Sequence, residues 1–214
     1  MDVSVCIVNL NSIKQLEKCL NTLKSGIWPL SYEVIIVDNS SKDGSQNFIR
    51  KNFSHVRLIS NLQNYGYTSE INKAMKIGVG RYKLILNPDS RLMPNSIVTL
   101  VSFLKKMDGV GIVGPLVLNE DGSFQRSCRR GVARPFAVFS YFLGIAKLFP
   151  DNKIFTGYHL NHLNIDDINE VSGVSGSCML IDQKLIDEIG YFDEKYFAYQ
   201  EDSDFCLRAM NSGW

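Results

Sequence analysis

At 214 residues the chain can bury one substantial core, and its 45% apolar fraction excludes a disordered or fibrous polypeptide. A net charge of +1, with 23 basic and 22 acidic side chains interspersed, excludes the broad positive field of a nucleic-acid binder. Phosphate binding, if the chain performs it, must be local.

The first half alternates strands with helices. Val3–Val8 is a β-branched apolar run that reads as a strand buried on both faces. Ser12, with Gln15 at the capping-box position, starts a helix whose apolar face is Leu16, Cys19, Leu20 and Leu23, and Gly26 predicts its stop. Val34–Val37 is a second strand with Asp38 at its carboxyl end. Lys42-Asp43-Gly44 turns into a short helix, and Val56–Ser60 is a third strand. A helix near Ser69–Ile77, a strand over Tyr82–Leu86 and a helix over Asn95–Lys106 follow. The alternation predicts an α/β fold: a mostly parallel central sheet with helices on both faces. Ligands of such sheets sit outside the carboxyl ends of the strands, where Asn9/Asn11, Asp38/Asn39 and Asn87/Asp89 fall.

The second half changes character. Val110–Leu118 and Ser123–Ser127 flank Asn119-Glu-Asp-Gly122, a hairpin signal. Pro135–Ala146, followed by Lys147-Leu-Phe149, is apolar but too short to span a bilayer, which takes about 20 residues. With Arg129, Arg130, Arg134 and Lys147 at its flanks it suits either the membrane interface or a helix packed on protein. Val171–Ile181 is glycine-broken and ends in a buried strand. Asp182 caps a short helix that ends at Gly190, and a final helix runs over about Glu201–Asn211. One domain is expected over 1–214, in two halves at 1–106 and 107–214, the second including a smaller β region.

Five scattered cysteines form no CxxC pair, and Cys6, Cys19 and Cys178 sit in apolar patterns. Reduced, buried thiols and a cytoplasmic location are expected, since no signal peptide precedes the first strand. His159 and His162 lack a third partner for a metal site. Arg126, Arg129 and Arg130 make either a solvated loop or a basic rim for a phosphorylated acceptor or a donor diphosphate. Gly173 and Gly176 do not follow a first strand in the dinucleotide-binding pattern.

Three motifs carry chemistry. In Leu84-Ile-Leu-Asn-Pro-Asp-Ser90 an apolar strand delivers Asn87 and Asp89 to its tip. A carboxylate there can hold Mg²⁺ or Mn²⁺ between diphosphate oxygens, or simply cap its own turn. In Val34-Ile-Ile-Val-Asp-Asn-Ser-Ser-Lys-Asp-Gly-Ser45, Asp38 can accept from a base or ribose hydroxyl, or cap the next helix. In Tyr196–Arg208, Glu201, Asp202 and Asp204 crowd a helix start, where the dipole favours them as a solvated first turn. A carboxylate there can equally take the proton of an attacking sugar hydroxyl. Asp202 is the candidate base, and Glu201 and Asp204 beside it would raise its proton affinity.

Together these motifs resemble the family-two glycosyltransferases, whose fold is GT-A. The resemblance runs nearly end to end through Val8-Asn-Leu-Asn-Ser12, Val37-Asp-Asn-Ser-Ser41, Asn64-Tyr-Gly-Tyr67 with Asn72, and Asn87-Pro-Asp-Ser90. It continues through Val174-Ser-Gly-Ser-Cys-Met-Leu180, Gly190-Tyr-Phe-Asp-Glu194 and Tyr199-Gln-Glu-Asp-Ser-Asp204, and is strongest to the rhamnosyltransferase-like branch. The resemblance implies a metal-dependent, inverting hexosyltransferase of polysaccharide synthesis. Its donor would be a nucleoside diphosphate sugar, with rhamnose on dTDP first among them, and its acceptor a saccharide or lipid-linked saccharide. Val8, Asn9, Asn11 and Asp38 would hold the nucleoside, Asp89 the metal-bound diphosphate, and Gly66, Asn72 and Asn87 would lie near the donor. Gly176, Ser177 and Glu201 would face the acceptor, and Asp202 would be the base. The implied location is the cytoplasm, with peripheral contact at the inner face of the cell membrane. Asn87 departs from the aspartate common in the family, which weakens the metal site. Relatives usually continue with further sheet, so the chain is expected to stop short at Trp214. Nucleotidyl transfer and a nucleotide-sugar-binding module without turnover are the competing functions. Against the first, Asn9-Leu-Asn-Ser12 replaces a glycine- and basic-rich triphosphate loop.

Overall fold

The computed structural model describes residues 1–131, 160 and 163–214. Four strands, β1 (Val3–Asn9), β2 (Tyr32–Asp38), β3 (Arg57–Ser60) and β4 (Tyr82–Leu86), run parallel. The second half adds β5 (Ile112–Val113), β6 (Arg129–Arg130), β7 (Gly173–Val174) and β8 (Cys178–Asp182). The main sheet has the order β3-β2-β1-β4-β8-β5, with β8 antiparallel to both β4 and β5, and β6 and β7 form a small antiparallel sheet of their own.

Strand alternation divides two cores. Val3, Val5 and Ile7 turn one way, towards α1 (Ile13–Ile27), α2 (Ser45–Asn52) and α4 (Ser96–Lys106). Cys6 and Val8 turn the other way, towards α3 (Tyr67–Ile77), α5 (Gln183–Ile189) and α6 (Glu201–Asn211). Each fully buried Val, Leu or Ile in these layers contributes about 1.5–3 kcal/mol relative to exposure. All five cysteines are buried free thiols, and burial pushes Cys6, Cys19 and Cys178 up to about 12, out of the reactive range.

Three local expectations are corrected. Gly26 does not stop α1 but lies buried inside it, where a Cβ would sit 2.6 Å from Leu92 Cβ; the helix ends at Ile27 because Trp28, preceding Pro29, turns extended. Ser12 makes no side-chain cap, since its hydroxyl donates to Leu10 O and the first helical amide, Ile13 N, donates to Asp43 Oδ2 at 2.9 Å instead. The hairpin over 110–127 is reduced to its tip, a Leu118–Phe124 bridge. Its first arm is diverted at Ile112–Val113 onto the edge of β8, where Ile112 packs on the second core, and Pro115 then prevents further pairing. Asp182 caps α5 as predicted, accepting from Lys184 N at 3.0 Å. Pro135–Ala146, Lys147–Phe149, Arg134, His159 and His162 lie outside the described residues.

Candidate active site

The chain order turns at β1, which has β2 on one side and β4 on the other, so a crevice opens at their carboxyl ends. Asn9, Asp38 and Asn87 all stand there. Asp38 is fully buried and its carboxylate is spoken for: Oδ2 accepts from Asn9 Nδ2 at 2.8 Å, and Oδ1 from Ser41 N at 2.9 Å and Gln46 Nε2 at 2.7 Å. Asn9 also donates to Ser41 Oγ at 3.1 Å, while Asn11, in the left-handed region at φ 51°, accepts from Lys42 N at 2.7 Å. Val8 packs into the second core beneath them. Asn9, Asn11 and Asp38 therefore form one brace with the segment 41–46, and a nucleoside reaching Asp38 would have to compete with the chain's own donors.

A second brace was not legible in advance. Asn39 is buried, donates to Asn64 Oδ1 and Gly66 O, and accepts from Asn61 Nδ2 and Tyr65 N. Gly66 takes φ +93°, and a Cβ there would meet Phe197 O at 2.8 Å. Asn72 is buried and clamps Phe192 through both backbone groups, donating to its O at 2.9 Å and accepting from its N at 3.1 Å. Gly66 and Asn72 thus dock α3 on the segment 192–197, and neither lines the cleft described next.

That cleft, of about 470 Å³, is lined by Tyr67, Asn87, Ser127, Arg130, Ser175, Gly176, Ser177 and the segment Ala198–Asp202. It brings together five expected site residues: Asn87, Gly176, Ser177, Glu201 and Asp202. Asn87 N donates to Ser177 O at 2.9 Å and Ser90 Oγ to the same oxygen at 3.1 Å, so the β4 tip is tied to the loop before β8. A larger apolar groove of about 680 Å³, between β5 and the segment 165–174, gathers none of the expected residues.

Asp202 is buried at the first turn of α6. Its Oδ1 accepts from Arg130 Nη1 at 3.0 Å and Ser203 N at 2.7 Å, and its Oδ2 from Gly176 N at 3.0 Å. Arg130, carried by β6, is thus the charged neighbour of Asp202. Asp204, expected to add like charge beside it, turns instead to Arg208 Nε at 2.9 Å. Of the three candidate basic residues Arg130 reaches the cleft, while Arg129 donates to the carbonyls of Leu160 and Leu163. Glu201 is buried, and that burial, with the adjacent Asp202 charge, pushes its carboxyl above the usual range. Tyr199 and Gln200 enter α6 with φ 67° and 69°, two successive left-handed residues with side chains, a strain of the kind concentrated at functional sites.

Asp89 is exposed at the β4 tip, with no ion pair or side-chain hydrogen bond among the described residues. Among those residues no group of three or more His, Cys, Asp or Glu side chains could hold a metal by itself. An exposed carboxylate at this strand tip does fit Mg²⁺ or Mn²⁺ of the kind that takes one or two protein oxygens and completes its shell with phosphates and water.

The family model described as "Glycosyl transferase family 2" matches residues 4–190. The chain belongs to glycosyl transferase family 2. An N-acetylglucosaminyl-diphospho-decaprenol L-rhamnosyltransferase of Mycobacterium tuberculosis is 30% identical over 192 residues, covering 85% of this chain and 62% of the relative. The low-salt glycan biosynthesis hexosyltransferase Agl10 of Haloferax volcanii is 25% identical over 214 residues, covering 97% of this chain and 61% of the relative. The chain therefore spans about three fifths of the length of these relatives. Among solved structures, TarS of S. aureus superposes with TM-score 0.67 at 18% identity, covering 98% of this chain and 33% of that one. A mannosyltransferase of Pyrobaculum calidifontis, in complex with GDP-Man and Mn²⁺, gives 0.62 at 16%, covering 99% and 52%. The family member described here thus has the GT-A fold, and no helix among its described residues is long and apolar enough to cross a membrane.

Proposed function

We propose that this family 2 member is the catalytic part of an inverting glycosyltransferase acting in cell-surface polysaccharide synthesis. It moves a sugar from a nucleoside diphosphate to a hydroxyl of a saccharide or lipid-linked saccharide, with dTDP-rhamnose the first donor to test. The observation that carries this is the cleft in which Asp202, anchored at the start of α6, faces the Asn87 tip of β4. The rhamnosyltransferase name of one relative and the hexosyltransferase name of another support the donor class. The lipid-linked substrate in the first name supports a lipid-linked acceptor, which the chain would meet by peripheral contact at a membrane, on the cytoplasmic face in this proposal.

In this mechanism Asp202 accepts the proton of the acceptor hydroxyl as its oxygen bonds to the anomeric carbon and the bond from that carbon to the diphosphate breaks. One displacement from the opposite face inverts the configuration. Arg130 Nη1 and Gly176 N, donating to opposite oxygens, fix the orientation of the Asp202 carboxylate. Asp89 and Asn87 would hold Mg²⁺ or Mn²⁺, which supplies positive charge against the leaving diphosphate. Val8, Asn9, Asn11 and Asp38 shape the nucleoside wall as a preset brace.

The test is thermal shift of the full-length protein against a panel of nucleotide sugars, with and without Mn²⁺, followed by product analysis. A metal-dependent rise with one donor, release of the nucleoside diphosphate and an inverted anomeric centre are expected. Release of pyrophosphate from a nucleoside triphosphate, or donor binding with no transfer, would overturn the proposal.

A further inference from the structure

Three oxygens around the cleft are buried without a hydrogen-bond partner among the described residues: Tyr67 OH, Ser177 Oγ and Glu201 Oε2. They come from three separate elements, the start of α3, the loop before β8 and the first turn of α6. Native proteins pair nearly all such groups, because a polar atom removed from water and given nothing in return is destabilising. Their convergence on one cleft indicates a partner that arrives with the ligand. Asp202, by contrast, has both oxygens engaged by the protein.

The chemistry of the missing partner follows from the three groups. Two are hydroxyls, able to donate and to accept. Glu201 is buried to 5% exposure beside Asp202, so an anionic ligand placed against them would be repelled by two carboxylates that, among the described residues, only Arg130 offsets. An uncharged ring bearing neighbouring hydroxyls matches in both respects, since each hydroxyl offers one donor and two acceptor sites. We propose that Tyr67, Ser177 and Glu201 form a subsite for the uncharged sugar hydroxyls that flank the one facing Asp202, with Tyr67 as a residue that sets acceptor specificity. The subsite rests on the transferase reading above and adds to it a residue and a substrate character.

Tyr67→Phe and Ser177→Ala in the full-length protein test it, because each deletes one orphan hydroxyl and little else. With dTDP-rhamnose as donor and octyl N-acetylglucosaminide as acceptor probe, each variant should raise the acceptor KM about tenfold, with kcat changing less. Free Tyr67→Phe should melt at or above the wild-type temperature, since the hydroxyl has no bond to lose. An acceptor KM within twofold of wild type in both variants would overturn the subsite. So would a marked drop in the melting temperature of free Tyr67→Phe, which would mean that water already satisfies the hydroxyl. Wild-type protein that neither binds dTDP-rhamnose nor releases dTDP from it would sink the transferase reading itself, and the subsite with it. Normal wild-type turnover with indifferent variants would sink the subsite alone.

Discussion

The two walls of the crevice are built on opposite principles. On the β1–β2 side Asp38 is buried under three donors, Asn39 is held by four contacts, and Asn9 Oδ1 is the unpartnered exception among these side chains. On the α6 side Tyr67, Ser177 and Glu201 keep oxygens with no partner among the described residues, and Tyr199 and Gln200 hold strained backbone. A wall whose polar groups are already satisfied is rigid and selects by shape. A wall with unsatisfied groups gains on binding what it lacks when free. The contrast assigns stability to the first and discrimination to the second, and it can be broken by exchanging the phenotypes.

The largest effect is expected on the α6 wall. Asp202→Asn should lower kcat about 10³-fold while donor-induced thermal shift persists, because the amide keeps much of the hydrogen bonding but cannot take a proton. Loss of donor binding with unchanged kcat would reverse the assignment of the walls. On the other wall the deficit should be in folding. Asp38→Ala leaves Asn9, Ser41 N and Gln46 without their acceptor and should cost about 2–4 kcal/mol, read as a lower urea midpoint at unchanged slope. The exposed Asp89→Ala should stay within about 0.5 kcal/mol of wild type and lose the metal-dependent part of donor affinity instead.

Between these lies the joint of the two walls. Gly66→Ala forces a Cβ to 2.8 Å from Phe197 O at a φ of +93°, so a loss of about 1–3 kcal/mol is expected, together with a higher acceptor KM as the segment 192–197 shifts. A variant as stable as wild type would show that this joint is slack.

How much of this the sequence could tell depends on the range of the interactions. β1 and β4 are mainly apolar runs, interrupted by Ser4 and Lys83, and Asp182 caps the helix that follows it directly, so local pattern suffices for all three. The role of Asp38 did not follow, because its strand-tip position suits a ligand contact and an internal brace equally, and the choice is made by Gln46 and Asn9 from other elements. Gly26 was misread for the same reason: a glycine that ends a helix and one that admits Leu92 look alike in one dimension. Tyr199 and Gln200 carry no glycine or asparagine to announce a left-handed turn, so the sequence offered no signal for the strain. Arg130 and Tyr67 reach the cleft only through β6 and the docking of α3. The charge environment of Asp202 was misjudged because adjacency along a helix was taken for adjacency in space, whereas Asp204 turns to Arg208 one helical turn on.

The smallest effect separates the walls by pH. Burial and the Asp202 charge raise the folded Glu201 carboxyl above its ordinary value of 4.5. Between that ordinary value and the raised one the native state holds a proton that the unfolded chain has released. The unfolded state then binds fewer protons, so stability falls as pH rises through this window and stays reduced above it. Glu201→Gln removes that dependence. The variant should match wild type below pH 4.5 and melt slightly higher at neutral pH, with the difference opening as the wild-type carboxyl ionises. Its transfer activity should fall even as its stability rises, the mark of a group kept for binding rather than for folding. A pH-independent difference in melting temperature would show instead that Glu201 is held by the fold as firmly as Asp38.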